Sequence, residues 1–108
     1  MDILFIFRCS PASEMTGSAL TAIAGSALFS SSISVVFINQ GLKTLCSSEY
    51  ESMIKDLKLY GVKCIYSQEV TGDNIRVNLP VDLNDRVVAL SNEKINSLIQ
   101  QSQHIVSF

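Results

Sequence analysis

Charge is scarce in this chain of 108 residues: 17% of positions are Asp, Glu, Lys or Arg, against a usual ~25%. The eight basic residues, Arg8, Lys43, Lys55, Lys58, Lys63, Arg76, Arg86 and Lys94, are scattered, and the formal net charge is −2. No basic stripe is present to neutralise a phosphate backbone, which excludes a nucleic-acid footprint. Cysteine is sparse and odd in number: Cys9, Cys46 and Cys64 form neither a CxxC nor any metal-ligand spacing, so a reduced, cytoplasmic protein is expected. Histidine occurs once, as His104, with no acidic residue near it in sequence. That leaves a metal role without support, although a Cys–His pair across a sheet stays open at this point. Acidic residues stand singly, so no carboxylate pair is set up for acid–base work. No GxGxxG follows the first apolar run, and GxxxxGK[ST] and GxSxG are missing. Nucleotide binding and hydrolase chemistry therefore lack their usual signatures, and neither a cofactor nor a metal is expected.

Apolar residues, by contrast, are abundant at 47%, and the mean hydropathy of +0.30 is high for a small soluble monomer. Either the chain enters a membrane or part of its apolar surface is covered by other subunits. The uncharged stretch from Met15 to Gln40 contains, between Ala19 and Ile38, enough residues to span a bilayer. Its composition changes halfway, however. Ala, Gly and Leu before Ser30-Ser31-Ser32 suit a helix, whereas Ile33, Val35, Val36, Phe37 and Ile38 suit a strand. Neither end carries a Lys/Arg flank. Two elements joined by a serine turn fit better than one spanning helix, which favours subunit cover. Asp2 and the absence of a basic leader segment argue against a signal peptide.

Ile3-Leu4-Phe5-Ile6-Phe7 is an apolar run without alternation, as expected of an interior strand of a parallel sheet covered on both faces. It stops at Arg8-Cys9-Ser10-Pro11. Ser13 and Glu14 open a helix over about 14–29, with Ala19, Leu20, Ile23, Ala24, Ala27 and Leu28 on one side. A strand over 32–38 ends at Asn39-Gln40-Gly41, a turn in which glycine can supply a positive φ. A loop carrying Lys43 and Cys46 leads to a helix over about 49–59, stopped by Gly61, and then to a strand over 63–67. Residues 68–85 are irregular, with Ile75, Val77, Leu79, Val81 and Leu83 alternating with polar neighbours. A strand over 86–90, a helix over about 93–101 capped by Ser91 or Asn92, and a strand over 104–108 complete the chain. The expectation is one domain over residues 1–108, of α/β class. It would have three layers, α/β/α, around a mainly parallel sheet of about five strands.

Ligands of open α/β sheets meet the protein beyond the carboxyl ends of the strands. Cys9 and Ser10 therefore occupy the first place where chemistry is expected. A helix N-terminus there lowers a thiol pKa, and Arg8 adds to the effect. Free cysteine is also a common small buried residue, and for Cys9 packing is the weightier reading. Cys64, inside a strand and two residues from Tyr66, reads still more strongly as packed. Cys46, in a loop, is expected to be exposed.

The order of these pieces resembles the DsrE/DsrF-like family, and within it the TusC (DsrF-type) branch. The pieces are the strand into Phe7-Arg8-Cys9-Ser10-Pro11, Gly17 with the small-residue helix through Ser26-Ala27-Leu28, Val35-Val36-Phe37-Ile38-Asn39-Gln40-Gly41, Leu57-Lys58-Leu59-Tyr60-Gly61, and Ile105-Val106-Ser107-Phe108. The resemblance implies a heterohexamer with TusB-like and TusD-like subunits. Such an assembly passes persulfide sulfur through a TusE-like acceptor towards 2-thiolation of the tRNA wobble uridine. It also implies that the sulfur-carrying cysteine belongs to the TusD/DsrE-type subunit, just after the strand matching 63–67. Here that place reads Ser67-Gln68-Glu69, without a cysteine, so the resemblance implies a non-catalytic supporting subunit with no direct nucleic-acid or membrane contact. Two alternatives stand beside it: a DsrE-like carrier taking persulfide on Cys9 or Cys64, and a stand-alone flavodoxin-like binding domain.

Overall fold

The computed structural model describes residues 2–29, 32–69 and 87–108. In chain order the elements are β1 (Asp2–Phe7), α1 (Thr16–Ala27), β2 (Ser32–Phe37), α2 (Gly41–Leu45), α3 (Glu51–Leu59), β3 (Val62–Gln68), β4 (Val87–Leu90), α4 (Asn92–Gln101) and β5 (His104–Ser107). The five strands make one sheet in the order β4-β3-β2-β1-β5, and every neighbouring pair is parallel. Successive strands β1 to β4 march towards one edge. The chain then returns past all of them, so that β5 pairs with the free side of β1.

This reversal decides where the helices lie. Right-handed crossovers in opposite directions leave helices on opposite faces of a sheet. Accordingly, α1, α2 and α3 cover one face, where Phe5, Phe7, Ile33, Val35, Phe37 and Ile65 pack against Leu20, Ile23, Leu45, Ile54 and Leu57. The other face carries Leu4, Val36 and Ile95, with Ile6, Tyr66, Leu90 and Leu98 around them, and its helix is α4. The fold is three-layered α/β/α, as the unalternating β1 run requires: Phe5 and Phe7 face one layer and Leu4 the other, all buried. Phe7 and Phe37 sit side by side in the β1–β2 register with ring centroids 5.1 Å apart, and Phe108 stacks on Phe5 at 5.8 Å.

The uncharged stretch is divided as expected, α1 ending at Ala27 and β2 beginning at Ser32. Among the described residues no helix is long and apolar enough to cross a membrane. Four local expectations need correction. First, α1 begins at Thr16 rather than at 14, and Met15 stands at its N-cap without a side-chain cap; Ser13 Oγ instead accepts from Met15 N at 3.2 Å within the preceding turn. Second, the segment read as a loop contains α2, whose Leu42, Thr44 and Leu45 are buried. Third, Cys46 is the C-cap of that helix and is half-buried rather than exposed. Fourth, the positive φ of the β2–α2 turn belongs to Asn39, at 52°, and not to Gly41. Gly61, by contrast, does stop α3, with φ at 114°. The alternating segment over 75–83 lies outside the described residues.

Candidate functional site

The carboxyl edge of the sheet gathers polar residues that end or follow β1, β2, β3 and β5. The chain leaves β1 between β2 and β5, so Arg8, Cys9 and Ser10 emerge at the point where the strand order reverses. Two buried threonines fix this turn. Thr44 Oγ1 donates to the Cys9 carbonyl at 2.6 Å, and Thr16 Oγ1 donates to the Ser10 carbonyl. On the other side, Arg8 N donates to the Phe108 carbonyl and Phe108 N to the Ile6 carbonyl, both at 2.8 Å. The Arg8 guanidinium donates to Ser107 Oγ at 2.7 Å. Gly41 closes the turn from below: a Cβ there would collide with the Phe7 carbonyl oxygen and lie 3.0 Å from its carbon.

Further along the edge, Gln68 spans three elements. Its Oε1 accepts from Asn39 N at 3.1 Å, and its Nε2 donates to Asn92 Oδ1 at 3.0 Å. Next to it, Glu69 N donates to the Leu90 carbonyl at 2.8 Å. Gln68 thus joins the end of β3 to the turn after β2 and to the first turn of α4. Both ends of its amide are engaged. Local sequence offered no signal for this bridge, because its partners are 29 and 24 residues away.

The cysteines are kept apart. Cys9 is half-buried and packs against the larger core cluster. Cys46 is also half-buried, and burial pushes its thiol pKa above the ordinary value of 9.0. Cys64 pairs with Ser34 in the β2–β3 register. With Tyr66 it lines a crevice of about 180 Å³ under the end of α4, on the opposite face from Cys9. The hydrogen bond to Cys64 is the main cause pushing the Tyr66 pKa up to about 12, helped by burial and by the charge of Cys64 once ionised.

His104 faces Ile3 at the amino end of β1, while Cys9 lies beyond the carboxyl end. Six residues along a strand separate them by roughly 20 Å, and three strand spacings put Cys64 about 14 Å from β5. The fold brings neither cysteine to His104, so the open possibility of a Cys–His pair is closed for Cys9 and Cys64. Among the described residues no group of three His, Cys, Asp or Glu could hold a metal ion. The edge offers amides and hydroxyls that satisfy one another. No protein-family model matches the chain, and no curated protein matches it.

Proposed function

We propose that this chain is a non-catalytic subunit of a cytoplasmic sulfur-relay complex of the TusBCD type. It would hold and orient a cysteine-bearing TusD-like subunit together with a TusB-like one, upstream of a TusE-like acceptor and tRNA 2-thiolation. The observation that carries this reading is the Gln68 bridge. At the end of β3 there is a side-chain amide, tied to Asn39 and Asn92, and no thiolate that could attack the outer sulfur of a donor persulfide. Half-burial of Cys9 against the core supports the same division of labour. So does the large apolar surface left uncovered, including Val88 on one edge strand and Ile105 and Val106 on the other. Permanent subunit contacts are more apolar than transient ones.

Co-expression with TusB- and TusD-like chains, followed by loading of the purified assembly from a persulfide donor, tests the proposal. Intact mass should place the added sulfur on the TusD-like chain alone. A sulfur adduct on this chain that disappears in Cys9→Ser or Cys64→Ser would favour the carrier reading instead. Failure to co-purify with either chain would remove the subunit role.

A further inference from the structure

The amino end of the sheet carries a second uncovered surface, away from the edge described above. Leu28 and Phe29 extend from the end of α1, and Leu59 and Tyr60 end α3. Their exposures are 63%, 92%, 79% and 44%. The two pairs are neighbours because the α3–β3 turn lies on the end of α1: a Cβ on Gly61 would sit 3.1 Å from the Ala27 carbonyl oxygen. Four large apolar side chains therefore form one patch, with the exposed Lys58 the nearest charge in sequence. At these exposures the patch presents on the order of 500 Å², near the top of what a monomeric protein leaves open.

From this we infer that the patch is an isologous contact between two copies of this chain, related by a two-fold axis near Phe29. Two considerations choose that occupant. Paired with itself, the patch removes about 1,000 Å² in total, the least that a specific interface should clear, and a polar rim around it adds to that area. The second is charge. No Asp, Glu, Lys or Arg occurs from Met15 to Gln40. In a two-fold contact, residues near the axis meet their own copies, so any charge there faces a like charge. A charge-free element avoids that repulsion. It also lacks the fixed charges by which an unlike partner is selected.

The inference does not depend on the sulfur-relay reading, and its test uses the chain alone. Sedimentation equilibrium should give a mass twice the 11.8 kDa of one chain. The double variant Phe29→Ser/Leu59→Ser should weaken association by about a hundredfold or more, as loss of two central apolar anchors does elsewhere. Met15→Ser removes a similarly exposed residue, at 64%, from the other end of α1, and should leave the dissociation constant unchanged. Both variants alter exposed side chains, and circular dichroism checks that each folds. A wild-type chain that stays monomeric at every concentration would overturn the inference. So would a dimer indifferent to Phe29→Ser/Leu59→Ser, or one weakened equally by Met15→Ser. A monomer that still co-purifies with unlike subunits would sink this contact and spare the relay reading.

Discussion

Gly41 and Tyr66 illustrate how single positions carry the local physics. Gly41 is held close to the β1 backbone, and any side chain there meets the Phe7 carbonyl. Gly41→Ala should cost about 3 kcal/mol, because neither the buried strand end nor the buried helix start can move aside. A lower urea midpoint with unchanged slope would report it. Tyr66 has a folded pKa of about 12 against an ordinary 10.0. The unfolded chain therefore ionises first, and the associated stability is intact below pH 10 and lost as pH rises towards 12. Phenolate absorbance should show one tyrosine titrating late, and Cys64→Ala should return it towards 10 by removing the hydrogen bond that is the largest cause. The Cys46 thiol, raised by burial, follows the same sign. Its stability contribution is present below its ordinary pKa and fades above it.

Among the elements, those with strong periodicity or strong β-former content were legible in the sequence. β1, β2, β3, α3, α4 and β5 fall within about two residues of their expected limits. Ser91 caps α4 as anticipated, its Oγ accepting from Lys94 N at 3.3 Å. Ser91→Ala should cost about 1 kcal/mol in chemical denaturation. α2 was not legible, because five residues make little more than one turn and give no period to detect. What stabilises it is tertiary: Leu42 and Leu45 reach the core, and Thr44 bonds to the Cys9 carbonyl. The same limitation hid the bridge across the carboxyl edge. Strand order decides that the ends of β2, β3 and β4 are adjacent, and strand order cannot be read from residues 68–69 alone. Gln68→Leu should lower stability by about 1 kcal/mol, since two partly solvated hydrogen bonds are lost and water replaces part of each. Asn39 and Asn92 amide signals should shift together in that variant.

At the scale of the whole molecule, one idea links composition to architecture. A chain poor in charge folds into a three-layer sheet whose uncovered surface is still apolar, at both edge strands and at the patch around Phe29. Surface of that kind is what the proposed subunit role requires. The placement of the cysteines supports the proposed supporting role rather than the carrier one. None lies at the end of β3, and those at positions 9 and 64 point into opposite layers without a histidine in reach. The most direct test is where transferred sulfur resides during turnover of the co-purified complex. Intact-mass spectra of every subunit should show the sulfur increment on the TusD-like chain and none on this one. A labile sulfur increment on this chain, absent in Cys9→Ser or Cys64→Ser, would contradict the account.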